Sequence, residues 1–503
     1  MLLSDLLVQP LPALYNCSLT GLTLDSRAVR PGDIFLACQG TQVHGEIYIE
    51  SAIQKGAVAI LKEAPIHNIK TLTNGVPCIS IPHLSQQIGG LAARFYGYPS
   101  RHKRIIGVTG TNGKTSVTHL IAQILQKEAP CGLFGTLGYG IYGALQSGLH
   151  TTPDAIQLQT LLAQLGTQNV SQVVMEVSSH ALVQGRVNGI TFETAVLTNL
   201  SRDHLDYHQT MTAYGNAKRQ LFAMPDLKTA VINYDDVFGQ DVLADLPSSI
   251  TPLSYSTHDK KADVYAQIHA YDIHGCKLDI HTSWGKGQLH SPLFGQFNVS
   301  NVLAALTVLL NMGFPLSQLL TQLNIIEPIP GRMERFGQAN QPTVIIDYAH
   351  TPDALEKTLL ALHEHLKEKK PSESNHSHFS DINTPTPKLW CVFGCGGDRD
   401  HGKRQLMGEI AQRYADKVII TDDNPRHETS QAIIDNILQG CPSPTAVISN
   451  REQAIHYALQ NAMINDIVLI AGKGHENYQQ IGDQRLPFSD KAVVSSLLNM
   501  QKE

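Results

Sequence analysis

The sequence has no surplus of positive charge. Its 38 Lys and Arg stand against 44 Asp and Glu, a formal net charge of -6, so the electrostatic footprint for a nucleic-acid backbone is missing and no nucleic-acid partner is expected. Long apolar runs are missing too: none approaches the ~18 residues that would cross a bilayer. The opening MLLSDLLVQPLPAL carries no basic leader and is broken by Asp5, Pro10 and Pro12. No membrane insertion and a cytoplasmic location are expected. The 8 cysteines, from Cys17 to Cys441, show no paired spacing, and Cys391 and Cys395 close an apolar run without forming a CxxC pattern. They are read as reduced, mostly buried thiols, which excludes a disulfide framework. Internal repeats are also absent.

What the sequence does contain is an alternation of short apolar runs with helical patterns, the signature of parallel α/β construction. At 503 residues and ~150 residues per domain, about three such domains are expected. The first, 1–100, holds candidate strands at Ile34–Ala37, Val58–Leu61 and Cys78–Ile81 and closes at the turn residues Gly97 to Ser100. The second, 101–330, has candidates at Ile105–Val108, Val173–Val177 and Ala195–Thr198. Pro328 to Gly331 suits a stiff linker. The third, 331–503, has candidates at Val344–Ile346, Leu389–Phe393, Val418–Ile420 and Ile467–Ile470. Each of these four is followed by polar or glycine-rich residues, at 347–350, 396–399, 422–426 and 472–476, which should converge on one cleft because open α/β sheets bind ligands at strand carboxyl ends. Positions 371–388, PSESNHSHFSDINTPTPK, are too poor in aliphatic residues to repay ordering and are read as a mobile surface insertion.

The strand at Ile105 runs into Thr109-Gly110-Thr111-Asn112-Gly113-Lys114-Thr115-Ser116 and then into a helix with Val117, Leu120, Ile121, Ile124 and Leu125 on one face. This is the context of a phosphate-binding loop. Glycines let successive N–H groups face phosphate oxygens, the helix N-terminus adds positive potential, and Lys114 brings a mobile ammonium. ATP and Mg²⁺ are the expected cofactors, with the hydroxyl of Thr115 or Ser116 on the metal. Val108 stands where the general pattern has its first glycine, so the loop is a variant. Glu176, at the end of an apolar run, is either a buried carboxylate facing the metal or an exposed strand end. His204 and His208 are four apart and could be further ligands or ordinary polar residues.

The phosphate loop, Met175 to Leu182, Thr198 to His208, Asp347 to Pro352, Asp423-Asn424-Pro425-Arg426 and Gly472 to Glu476 together resemble the motifs of the Mur ligases, in order and over essentially the whole chain. The resemblance implies three α/β domains: an N-terminal UDP-substrate domain, a central P-loop ATPase-like parallel sheet and a C-terminal Rossmann-like domain. It implies an ATP-dependent amide ligase that adds meso-2,6-diaminopimelate to UDP-N-acetylmuramoyl-L-alanyl-D-glutamate through an acyl phosphate, in peptidoglycan precursor synthesis, acting as a monomer. By the same resemblance, Gly110, Thr111, Asn112, Gly113, Lys114, Thr115 and Ser116 bind ATP with Asn298, Arg332 and Asp347 as adenine, phosphate and ribose contacts. Ser116, Glu176, His204 and Lys218 serve the metals, Lys218 as a carbamate formed with CO₂. Read without the resemblance, Lys218 is a solvated helix lysine.

Leu24, Ser26, Thr41, Gln42 and Val43 correspond to the uridine-diphosphate pocket, and Thr151, Thr152, Ser178, Gln184 and Arg186 to the sugar-peptide contacts. His150, Thr41 and His44 depart from the family pattern, so no side-chain role is carried over to them. Arg399, Asp423, Asn424, Pro425, Arg426, Gly472 and Glu476 correspond to the diaminopimelate site. Arg426 is the specific feature, because a planar bidentate donor suits the second carboxylate that distinguishes diaminopimelate from lysine. Otherwise it would cap a helix or pair with Glu428. The competing readings are a nucleotide-binding switch and a lysine-adding or folate-glutamylating ligase.

Overall fold

The computed structural model of the chain describes residues 1–40, 43–72, 75–148, 150–272, 274–338, 340–367 and 386–500. Among these the strands form three main sheets. The first contains β1 (Gly21–Thr23), β2 (Asp33–Ala37), β3 (Ala59–Glu63), β4 (Asn68–Thr71) and β5 (Pro77–Ile81) in the order β1-β2-β3-β5-β4, parallel except for β4.

The central sheet contains β6 (Arg104–Thr109), β7 (Cys131–Gly135), β8 (Gly138–Ile141), β9 (Gln172–Glu176), β10 (Thr194–Leu197), β11 (Thr229–Asn233), β12 (Thr251–Ser256), β13 (Val264–Asp272), β14 (Gly275–Thr282) and β15 (Gly285–Ser291). Its order is β15-β14-β13-β12-β11-β10-β6-β9-β7-β8, with β8, β14 and β15 antiparallel to their neighbours. The third sheet runs β16-β17-β21-β18-β19-β20, from β16 (Glu334–Phe336), β17 (Thr343–Asp347), β18 (Leu389–Phe393), β19 (Lys417–Ile420), β20 (Ala446–Val447) and β21 (Ile467–Ala471), all parallel but β16. A separate hairpin, β22 (Tyr478–Ile481) and β23 (Gln484–Pro487), follows.

Every strand expected from an apolar run forms, within two residues at its ends. The reason is burial on both faces: β10, β17, β18 and β21 are buried at every position, which requires continuous apolar sequence. The antiparallel meander β13 to β15 was not anticipated, because its half-exposed strands mix polar with apolar residues and β14 and β15 include glycine and lysine. Helices Lys114–Leu125 and Gln296–Asn311 are buried almost all round and join the same core beneath the central sheet. The expected linker is packed at both ends: Ile329 belongs to the central core, and Gly331, at φ 66°, lies against the His475 backbone, where a Cβ would come within 2.2 Å of nitrogen. Of the expected insertion, residues 371–385 lie outside the described residues. No described helix is long and apolar enough to cross a membrane.

Candidate active site

The phosphate loop joins β6 to helix Lys114–Leu125 and wraps over the end of β10. Gly110 and Gly113 have positive φ, and a Cβ on Gly110 would fall 1.8 Å from the Thr198 hydroxyl. Thr198 Oγ1 donates to the Asn112 carbonyl at 2.6 Å, and Asn112 N donates to Asn199 Oδ1 at 3.0 Å. With Thr111 N donating to the Asn199 carbonyl at 2.9 Å, these bonds fasten the loop to the segment after β10. Lys114 Nζ donates to the carbonyls of Gly110 and Thr111, both at 2.8 Å, and burial lowers its pKa while neighbouring Glu176 raises it.

Glu176 is 1% exposed at the carboxyl end of β9, so the buried alternative holds. Its oxygens accept from Thr115 Oγ1 at 3.0 and 3.1 Å and from Thr136 N at 2.8 Å. Of the two hydroxyls expected near the metal, that of Thr115 meets Glu176, while Ser116, the next residue of the helix, is also buried. Glu176 has no ion-pair partner among the described residues, although Lys114 is near. A buried carboxylate held by hydroxyl and amide donors beside a phosphate loop fits a divalent cation, which typically takes one or two carboxylates plus phosphate oxygens. No group of three His, Cys, Asp or Glu side chains is arranged to hold a metal by itself among the described residues.

Lys218, on helix Met211–Arg219, is the least lysine-like lysine. It is 1% exposed, lies 4.3 Å over the Tyr214 ring and donates to the Gly110 carbonyl at 2.9 Å. Burial, with Lys114 adding to it, pushes its pKa well below the ordinary value. The solvated-helix reading is thereby excluded. His204 sits at φ 54° with Nε2 3.4 Å from Asp203 Oδ2 and its ring 4.8 Å from that of His180, within the electrostatic reach of Lys114 and Lys218. His208 is committed to Ser179 Oγ at 2.9 Å.

The third sheet reaches the phosphate loop through Arg332, whose Nη2 donates to Thr115 Oγ1 at 3.2 Å and whose guanidinium stacks 4.5 Å from the Tyr348 ring. Arg332 Nε and His475 Nδ1 are buried without a protein partner, consistent with a polar ligand between the sheets. Asp353 Oδ2 accepts from Asn112 Nδ2 at 3.2 Å and Ser201 Oγ at 3.1 Å, a second bridge between the sheets. Asn298 is buried and bonded to Asn301, which abuts Gly113. Asp347, buried at the end of β17, accepts from the amides of Met333 at 2.8 Å and Ala349 at 2.9 Å and so braces the turn that carries Arg332.

Thr151, Thr152, Ser178, Gln184 and Arg186 cluster beside Glu176. Thr152 Oγ1 donates to the Glu176 carbonyl at 2.9 Å, Thr151 meets Thr136 at 3.1 Å, and Arg186 grips Gln184 Oε1 and the Thr152 carbonyl. Leu24, Ser26 and Val43 lie on loops after β1 and β2, Leu24 and Val43 exposed and Ser26 buried. Thr41 and Gln42 lie outside the described residues. His44 caps a short 3-10 turn by accepting from Glu46 N, and His150 is tied to the Tyr139 hydroxyl through its backbone.

The four segments after β17, β18, β19 and β21 do converge. Asn424 Nδ2 donates to Glu476 Oε2 at 2.8 Å, Lys473 Nζ bonds both, and Gly472 leaves room for Asp423. Arg426 Nη1 donates to the Gly397 carbonyl at 2.7 Å, while Arg399 is exposed beside it. Glu428 is not Arg426's partner: Arg404, 1% exposed, holds it with two bonds of 2.7 and 2.9 Å. Nor does Arg426 cap a helix, since Thr429 caps the one that follows.

Three family models match successive stretches: "Mur ligase family, catalytic domain" over 18–96, "Mur ligase middle domain" over 108–309, and "Mur ligase, glutamate ligase domain" over 331–371 and 377–474. The chain belongs to the Mur ligase family. Among its relatives are UDP-N-acetylmuramoyl-L-alanyl-D-glutamate--2,6-diaminopimelate ligases of Alkalilimnicola ehrlichii, 47% identical over 95% of this chain and 94% of that protein, and of Pseudomonas syringae, 48% identical over the same shares. A solved structure of a ligase with that name matches with a TM-score of 0.68 at 37% identity, covering 96% of both chains. A MurF of Acinetobacter baumannii shares the fold, with a TM-score of 0.63 at 17% identity over 98% of this chain and 95% of that one.

Thr136, Lys473, Arg404 and Asp353 of this Mur ligase were not singled out from the sequence. The bonds that bring Thr136 to Glu176 and Asp353 to Asn112 leave no local signal, because they span 40 and 241 positions. Lys473 lies within a quoted motif, and its full burial against Glu476 is the clue that sequence alone withholds.

Proposed function

We infer that this chain is an ATP-dependent amide ligase that joins meso-2,6-diaminopimelate to the D-glutamyl carboxylate of UDP-N-acetylmuramoyl-L-alanyl-D-glutamate. The observation that carries this reading is the strand-end cluster of Arg426, Arg399, Asn424 and Glu476 facing the side of the sheet from which Arg332 reaches the phosphate loop. Its support from relatives is the shared name of full-length proteins 46–48% identical.

In this reading a glutamyl carboxylate oxygen attacks the γ-phosphorus of ATP, ADP leaves, and the acyl phosphate is then attacked by the amine, which releases phosphate and loses a proton. Lys114 and Arg332 offset the negative charge that gathers at the γ-phosphate, and the loop amides orient it. Glu176 and Thr115 would hold Mg²⁺, which when bound neutralises phosphate charge. Burial disfavours the ammonium form of Lys218 and so favours the free amine needed to add CO₂, and the resulting carbamate would supply a further anion. His204 would serve beside it. Asn298 would meet the adenine, Thr152, Ser178 and Arg186 the sugar-peptide, and Leu24, Ser26 and Val43 the uridine end. Arg426 and Arg399 would read carboxylates of the incoming amino acid, with Glu476 receiving its distal ammonium. Three domains divided near 100 and 330, a monomer, and a cytoplasmic setting complete the proposal.

The test is a ligation assay with ATP, Mg²⁺ and the UDP-dipeptide, offering meso-diaminopimelate or L-lysine and following phosphate release with amide product. Tripeptide from diaminopimelate alone is expected. A preference for lysine would overturn the role given to Arg426, and phosphate release without amide product would overturn the ligase reading.

A further inference from the structure

His427 follows the arginine that reads the amino acid in the proposed function, and nothing in that function uses it. Its side chain is 59% exposed and is held between two carboxylates from different elements. Nδ1 lies 2.8 Å from Asp398 Oδ2, in the loop after β18, and Nε2 lies 3.2 Å from Asp483 Oδ1, in the turn between β22 and β23. Carboxylates only accept, so both ring nitrogens must donate, and only the imidazolium has two N–H groups.

The two anchors matter because of what they carry. Asp398 adjoins Arg399 and has φ 54°, while Arg426 has φ 51°, so both loops are in a conformation that ordinary side chains adopt only under constraint. Asp398 N donates to Glu428 Oε1 at 2.6 Å and His427 N to Asp398 Oδ2 at 3.4 Å. The hairpin is bonded to Arg426 itself: Arg426 N donates to the Gln480 carbonyl at 3.1 Å and Gly482 N to the Arg426 carbonyl at 2.7 Å. His427 thus closes a ring through the Arg399 loop, the Arg426 loop and the hairpin tip.

We propose that His427 is a positioning residue for the amino-acid site: as imidazolium it clasps Asp398 and Asp483, fixing Arg399 and Arg426 to receive a dianionic amino acid. The inference rests on the proposed diaminopimelate-binding role of those arginines. The charged groups facing the clasp are Asp398 and Asp483 directly, with Glu428, His401 and Arg404 behind Asp398. The two carboxylates hold the imidazole pKa above its ordinary value. The charged clasp is therefore complete below the ordinary imidazole range and is lost as pH rises through the elevated value. Losing the proton also leaves one more net negative charge beside a site for carboxylates, so both effects weaken binding in the same direction.

His427→Gln removes the charge but keeps a hydrogen-bonding side chain. At pH 6 it should raise KM for diaminopimelate by about three- to fivefold, the upper part of the range of exposed charge pairs, while kcat and the KM for ATP and for the UDP-dipeptide stay within twofold of wild type. The ratio of variant to wild-type KM should fall toward one by pH 9, as the wild-type ring loses its proton. Asp483→Asn should shift that convergence to lower pH. An unchanged KM for diaminopimelate at pH 6, a ratio constant with pH, or an equal rise in all three KM values would overturn the inference. Absence of ligation by the wild-type chain would instead sink the functional reading, and the inference with it.

Discussion

Single residues here take chemistry from their surroundings more than from their type. Lys218 and Lys114 both lie beside the phosphate loop and burial lowers the pKa of each, but Glu176 and Asp203 oppose that at Lys114, whereas at Lys218 the Lys114 charge adds to it and only Asp203 opposes. Arg404 takes Glu428, while Arg426 donates Nη1 to the Gly397 carbonyl and forms no ion pair among the described residues. Replacing Arg426 by Lys keeps the charge and loses the planar fork, so KM for diaminopimelate should rise by about tenfold or more with the KM for ATP unchanged. Steady-state kinetics with each substrate varied in turn checks this, and an unaltered KM for diaminopimelate would remove Arg426 from the recognition site. The sequence made these residues visible as motif members. It could not tell Thr115 from Ser116 as the hydroxyl beside Glu176, since that depends on how helix Lys114–Leu125 is rotated against β9.

At the scale of elements, the site is assembled from strand ends, and its rigidity comes from ion pairs beneath it. Arg451 and Asp490, both essentially inaccessible, form two bonds of 2.8 Å while Arg451 also donates to the carbonyls of Asp422 and Ala471 at the ends of β19 and β21. Arg404 does the same for the loop after β19 by holding Glu428, whose carboxyl it keeps at about 2 against an ordinary 4.5. A depressed carboxylate pKa contributes stability that is present above the ordinary value and is lost as pH falls through the folded one. Glu428→Gln should therefore lower the melting temperature at pH 7, by about 5 °C if the buried Arg404 is left with roughly 2 kcal/mol of lost pairing, and the difference should shrink between pH 4.5 and pH 2. Thermal melts of both proteins across that range decide it; a pH-independent difference would mean that the pair is not the cause. The parallel strands were legible because burial on both faces leaves continuous apolar runs, as in Val344–Ile346 within β17. The meander β13 to β15 was not, because one exposed face mixes its pattern.

Across the whole molecule, residues of the central and third sheets meet at the phosphate loop. Arg332 on Thr115 and Asp353 on Asn112 and Ser201 are the contacts by which the third sheet meets the phosphate loop. Ligands that add phosphate and carboxylate charge between these groups should draw the sheets together, so the radius of gyration from small-angle scattering should fall when an ATP analogue and the UDP-dipeptide are added. An unchanged radius would mean that the site works without closure. The sequence by itself determined the class of fold, the position of its buried parallel strands and the family, because hydrophobic runs and short motifs are local and survive in one dimension. Tertiary structure alone decided that Lys218 is buried under Gly110, that Glu428 belongs to Arg404, and that His427 spans two loops, because each depends on partners brought together by folding from 24 to 108 positions away.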